Sequence, residues 1–188
     1  RGLRTIGDIA ATPLVTLQRA VGEATGRKLH DLANGIDPRN VTTRAEEKSI
    51  GHEITFETDV TDADLLRREL LRLSTQVAAR LRDAGITGHT VVLKLRYGDF
   101  TTITRSRKLA EPTDLARRIY EEVRSSYEAL GAHRGVRLIG VRVEQLGDGA
   151  PGQLGLWDTD EGWREAERAI DGVSEKFGRG VVGPAALL

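Results

Sequence analysis

Residues 90–109 read TVVLKLRYGDFTTITRSRKL, and the pattern of this stretch decides the fold. Val91, Leu93, Leu95 and Tyr97 alternate with Val92, Lys94 and Arg96, the period of two of a strand with one buried and one wet face. Gly98-Asp99 then supplies a turn, and Gly at the first central position suits a two-residue type II′ loop. With that loop length Tyr97 faces Phe100, Leu95 faces Thr102 and Leu93 faces Thr104, so Thr102 and Thr104 turn towards the core. The opposite face carries Lys94, Arg96, Thr101, Ile103, Arg105 and Arg107. A strand face of this kind serves an anionic partner or water alone.

Working outward, Ile50, His52, Ile54 and Phe56 alternate with polar residues in a first strand. Thr61-Asp62 caps a long helix with Leu66, Leu70, Leu73, Val77 and Leu81 along one face, and Gly85 ends it. After the hairpin, Thr113 caps a second helix carrying Leu115, Ile119, Val123 and Leu130, and Val136 to Leu146 form a last strand. The order strand-helix-strand-strand-helix-strand predicts a ferredoxin-like α+β sandwich, a four-stranded antiparallel sheet with both helices on one face. The other face is left open and basic. Strand parity puts Ser49, Gly51, Lys94, Arg96, Arg105, Arg107 and Arg142 on or beside it.

Residues 1–36 read as short helices, with a helix from Pro13, a turn over Val21 to Gly26 and a second helix from Arg27 to Asn34. This helix-hairpin-helix-like pattern exposes backbone N–H groups that suit a phosphate, or it serves packing alone. Asp37-Pro38 and the polar run behind it make residues 37–47 a linker. The sandwich spans 48–147. Residues 148–188 form a tail with a helical stretch from Trp163 to Phe177.

Composition bounds the chemistry. The 188 residues are 39% hydrophobic and 30% charged, as in a globular protein. No apolar run approaches the ~20 residues of a membrane span, and no signal peptide is evident, so no membrane partner and a cytoplasmic location are expected. The absence of cysteine excludes disulfides and thiolate metal sites. The formal charge of zero hides a segregation: Lys94, Arg96, Arg105, Arg107 and Lys108 face Asp99 alone in the middle, while acids dominate after Gly147. His30, His52, His89 and His133 fall in different elements and show no metal-ligand spacing. Neither a Walker loop nor a dinucleotide fingerprint occurs. No catalytic residue, metal ligand or cofactor is therefore assigned within this chain, which opens on Arg1-Gly2 inside a helical pattern and reads as a piece of a longer protein.

The stretches Lys48 to Phe56 (KSIGHEITF), Phe100 to Arg107 (FTTITRSR) and Val136 to Arg142 (VRLIGVR) resemble the first, third and fourth strands of the little-finger domain of a Y-family translesion DNA polymerase of the bacterial polymerase IV type. Gly2 to Ile9 and Val21 to Ala24 are similar to the end of that family's thumb. The resemblance implies a little finger on the major-groove side of primer-template DNA and a thumb that touches the minor groove through backbone amides. It implies phosphate contacts from Ser49, Gly51, Lys94, Arg96, Arg105, Arg107, Arg137 and Arg142, and from Gly22 and Ala24 in the thumb. Such contacts position a duplex without reading its sequence. The family's catalytic acids and their magnesium ions belong to a palm expected before Arg1, so this chain is expected to bind and not to polymerise.

Gln153-Leu154-Gly155-Leu156-Trp157 is similar to the sliding-clamp-binding motif of bacterial polymerases. Gln153 would hydrogen-bond at the rim of the clamp's cleft, Leu154 would follow it, and Leu156 with Trp157 would fill the cleft as an apolar anchor. The resemblance further implies a monomer in the bacterial cytoplasm, associated with the nucleoid. Two rivals share the strand order. An RNA-recognition module would need aromatics on the open face, and a ferredoxin-like interaction domain would use the cations for solubility alone.

Overall fold

Thr5 opens the first helix with a capping box: its hydroxyl accepts from the Asp8 amide, and the Asp8 carboxylate accepts from the Thr5 amide. Three helices follow one another, α1 (Ile6–Ala11), α2 (Leu14–Val21) and α3 (Glu23–Ala33). The computed structural model describes residues 2–40, 47–131, 134–148, 160–178 and 181–187. It divides into two units, Arg1–Ala45 and Glu46–Leu188. In the first, the turn between α2 and α3 is shorter than the sequence predicts. Gly22 alone joins them at φ 91°, and Glu23 to Gly26 already belong to α3. The close crossing explains Gly26, where a Cβ would stand 2.6 Å from the backbone of Gln18. Leu17 is buried, whereas Ile6, Val15, Leu32 and Ile36 stay exposed, so the described part of this unit closes little core of its own.

The second unit contains β1 (Ser49–Val60), α4 (Ala63–Asp83), β2 (Ile86–Tyr97), β3 (Thr102–Thr113), α5 (Ala116–Ala129), β4 (Val136–Asp148) and α6 (Glu161–Phe177). The strands form one antiparallel sheet in the order β1-β4-β2-β3. β4 and β2 are central, and β3 is an edge. The apolar stripe of α4 and that of α5, with Ile119, Val123 and Tyr127, pack on Ile50, Leu93, Leu95, Ile139, Val141 and Val143. Asp62 caps α4 by accepting from the amides of Asp64 and Leu65, and these bonds hold its carboxyl below the usual range.

Two expectations change here. The β2–β3 loop has three residues, Gly98, Asp99 and Phe100. Tyr97 N–H donates to Thr101 O at 3.0 Å, Phe100 N–H donates to Tyr97 O at 2.9 Å, and Phe100 adopts φ 64°. This is the geometry of a turn followed by a left-handed residue, and it shifts the register by one position from that of a two-residue loop. Phe100 accordingly leaves the core face and is 76% exposed.

Thr113, expected to cap α5, instead ends β3, with its hydroxyl accepting from Leu115 N–H. The first amides of α5 are covered from a distance of fifty residues. Glu167 of α6 accepts from Ala116 N–H (3.0 Å) and Arg117 N–H (3.4 Å), and its carboxylate also pairs with Arg82 of α4. Arg82 further holds Asp171 at 2.5 Å and donates to Asp114 O at 2.8 Å. Arg118 holds Asp160 at 2.6 Å, and the Arg117 guanidinium lies 5.0 Å over Trp163. The acidic tail thus folds back onto the helical layer. Burial pushes the Glu167 carboxyl up, against the pull of the α5 amides and Arg82. Burial pulls the Arg82 guanidinium down, yet Asp171 and Glu167 hold it above its ordinary value.

With both side chains about one-tenth exposed, truncating one partner strands the other. Glu167→Ala is expected to cost about 3 kcal/mol in urea unfolding at neutral pH. Glu165→Ala, on the outer side of α6, is expected to change stability by under about 0.5 kcal/mol.

Candidate nucleic-acid interface

Residues paired directly across neighbouring strands point to the same side of a sheet, so the register assigns every side chain to a face. On the side away from the helices, four rows cross the sheet. Ser49, Glu144, Thr90 and Lys108 form one, and Gly51, Arg142, Val92 and Ser106 the next. Glu53, Gly140, Lys94 and Thr104 form the third, and Thr55, Leu138, Arg96 and Thr102 the fourth. The face therefore carries four cations, Lys94, Arg96, Lys108 and Arg142, and two carboxylates, Glu53 and Glu144. It is positive, though less so than the sequence predicts.

A shallow trough runs over Gly51, Val92 and Gly140, flanked by Lys94, Thr104 and Arg142. Its floor is bare because the two glycines leave no room: a Cβ on Gly51 would sit 3.0 Å from Arg142 Cβ, and one on Gly140 would sit 2.9 Å from Glu53 Cβ. Over this floor a backbone-sized anion could approach main-chain atoms closely. The cations are tethered within the face. Lys94 Nζ lies 2.7 Å from Glu53 Oε2, Arg142 lies 2.5 Å from Glu144 Oε1, and Arg96 Nε donates to Thr102 Oγ1 at 3.0 Å.

The one-residue longer loop reverses the expected parity of β3. Thr102 and Thr104, predicted to face the helices, lie on the open face beside Arg96 and Lys94. Arg105 and Arg107 pair across with Leu93 and Val91 and so turn to the helix side, where Arg107 Nε comes within 3.3 Å of Glu122 of α5. Both remain exposed because β3 is an edge strand. Arg137 is turned to β1, holding Asp59 at 2.5 Å and donating to Glu57 O. Ser49, Gly51, Lys94, Arg96 and Arg142 share the open face as the sequence predicts.

In the helical unit, the Gly22 amide already donates to Gln18 O at 2.9 Å. Its part there is conformational, and Ala24 lies in the first turn of α3, where amides lack intrahelical acceptors. Gln153, Leu154, Leu156 and Trp157 lie outside the described residues. Among the described residues no three His, Asp or Glu side chains gather into a group that could hold a metal ion. Nor is any described helix long and apolar enough to cross a membrane.

Sequence reasoning passed over three charged members of the face. Lys108 and Glu144 needed the register, whereas Glu53 shares the parity of Ser49 and Gly51 and was legible as a face residue from the strand alone. Its reach to Lys94 was not, because that depends on β4 lying between β1 and β2.

A βαββαβ sandwich with an open, cationic sheet face, in a chain that also carries a separate unit of short helices, is the setting for the chain's kinship. The chain matches the impB/mucB/samB family C-terminal domain over residues 47–156 and belongs to that family. It is 37% identical over its whole length to a DNA polymerase IV of Desulfatibacillum aliphaticivorans, of which it covers 48%. It is 39% identical over 96% of its length to DNA polymerase IV 1 of Mesorhizobium japonicum, covering 42% of that protein. To DNA polymerase IV 2 of Bacillus subtilis it is 36% identical over its whole length, covering 47%. The chain thus spans about half the length of the curated relatives it matches.

The register is open to a direct chemical check, since the chain has no cysteine of its own. Paired substitution of Lys94→Cys with Thr104→Cys is expected to cross-link under mild oxidation, the Cβ atoms of directly opposed residues being about 5 Å apart. Lys94→Cys with Ile103→Cys, the pair a two-residue loop would oppose, is expected to stay reduced on a denaturing gel.

Proposed function

We propose that this chain is the DNA-holding and clamp-tethering part of a translesion DNA polymerase. The observation that carries this reading is the asymmetry of the sheet: one face is sealed by α4 and α5, while the other presents Lys94, Arg96, Lys108 and Arg142 around a trough floored by Gly51 and Gly140. The kinship supports it, since these relatives are each a DNA polymerase IV. On this reading the phosphates of primer-template DNA lie along the open face. Lys and Arg neutralise them, the Ser49, Thr102 and Thr104 hydroxyls and nearby amides add hydrogen bonds, and the contacts carry no base sequence.

Arg105 and Arg107, at the outer edge on the helix side, act through their field rather than from the trough, within the ~10 Å over which charge is felt at moderate salt. Arg137, turned to the opposite edge where it holds Asp59 of β1, is a secondary contact. In the helical unit Gly22 shapes the turn, and the first-turn amides of α3, with Ala24 among them, approach the backbone of the same duplex. Gln153, Leu154, Leu156 and Trp157 bind the replication sliding clamp and keep the polymerase on its template. The nucleotidyl transfer itself, with magnesium, belongs to the rest of the polymerase. The open face offers no aromatic platform, Phe100 standing at the loop and Tyr97 being buried, which disfavours an RNA-recognition module.

Fluorescence anisotropy on a primer-template duplex tests the first half. About four phosphate contacts give an affinity that falls roughly ten-fold for each doubling of salt. Arg96→Glu is expected to weaken binding about ten-fold or more, and Arg105→Glu less than about three-fold, each a fraction of the energy of a charge-assisted contact. Binding indifferent to salt and to Arg96→Glu would sink the DNA reading.

The tail has its own test. Leu156→Ala with Trp157→Ala is expected to abolish capture by immobilised sliding clamp in surface plasmon resonance while leaving duplex affinity unchanged; equal clamp affinity in the double variant refutes the assignment.

A further inference from the structure

Glu53 reaches from the edge strand β1 into the open face, where a surface built for phosphate gains nothing from a carboxylate. Its position is not incidental to the sheet. It lies on β1, and it reaches Lys94 on β2 by passing over β4 at Gly140, the residue in register with both. A side chain at Gly140 would close that route, since even a Cβ there would stand 2.9 Å from Glu53 Cβ. The result is an ion pair of 2.7 Å laid across the trough. Arg96, one row away, has a hydroxyl partner instead and no carboxylate within pairing distance among the described residues.

We infer that Glu53 is a built-in brake on the grip of the sheet: it holds Lys94 while the face is empty and gives it up to a phosphate when DNA arrives. Both side chains are a third to a half exposed, so the pair is weak and exchangeable in water. Each duplex that settles on the trough must displace the carboxylate from Lys94 and then lie beside an unpaired negative charge. The net positive charge that the duplex meets is lowered by one at the centre of the face. The fast release that follows suits a part that must let DNA slide past.

This inference rests on the DNA reading, and one experiment separates the two. Duplex affinity of the full chain is measured against salt for the unaltered protein, Glu53→Gln, Lys94→Met and the double variant. Glu53→Gln is expected to tighten binding about five-fold and to steepen the slope of log affinity against log salt by up to about 0.9, the value of one recovered phosphate contact. Lys94→Met weakens binding, and in its presence Glu53→Gln gains less than about two-fold, because the brake works through Lys94. An unchanged affinity in Glu53→Gln overturns the inference. So does an equal gain with and without Lys94, which would make Glu53 a plain repulsive charge. If the unaltered chain binds no duplex at low salt, the DNA reading itself fails.

Discussion

Side chains along a strand alternate from face to face, so a single residue in a hairpin loop decides which half of the outer strand meets solvent and which half meets the core. Here that residue is Phe100. It sits in the left-handed region, costly for a bulky side chain, and the loop holds it there by three means. Tyr97 N–H donates to Thr101 O while Tyr97 O accepts from Phe100 N–H, the Asp99 carboxylate accepts from Thr101 N–H, and Arg134 pairs with Asp99 while stacking 4.5 Å over the Tyr97 ring. The Asp99 carboxyl is pulled below its usual range first by the Thr101 amide. With the register so fixed, hydroxyls of β3 join the open face and its arginines leave it.

The helical layer depends on a second long-distance constraint. α5 has no side chain at its start that can satisfy its first amides, since its cap residue is Leu115. Glu167 covers them from α6 and at the same time neutralises Arg82, so one carboxylate joins α4, α5 and α6. A buried guanidinium and the positive end of a helix are both unfavourable alone, and each makes the other's partner worth burying. This is why the acids of α6 become part of the sandwich. It also keeps the acids on the helix side, away from the face that carries Arg96 and Arg142.

The open face, in turn, is a compensated surface rather than a plate of charge. Two of its four cations are matched by carboxylates within the sheet, and its floor is left bare by glycines whose absent side chains permit both the trough and the bridge across it. Under the proposed function, such a surface would offer a polyanion few net charges at close range, the condition for reversible, sequence-independent holding rather than tight capture.

Repetition is what made elements legible in the sequence. Leu66, Leu70, Leu73, Val77 and Leu81 announce α4, and Val91, Leu93 and Leu95 announce β2 and send Lys94 and Arg96 to the other side, because apolar burial imposes its period on local sequence. β3 has no such period: Ile103 and Leu109 are its sole large apolar residues before Pro112, so its facing had to be inferred from the loop, and the loop is a matter of one residue's backbone. The order of elements and the kinship were thus written in the chain itself. Which arginines face outward, what caps α5 and what holds Lys94 were decided by strand order, register and the return of α6. The facing of the arginines turns on the backbone of one loop residue, while the α5 cap and the hold on Lys94 join residues forty to ninety positions apart, and no local pattern encodes such a meeting until the backbone has folded.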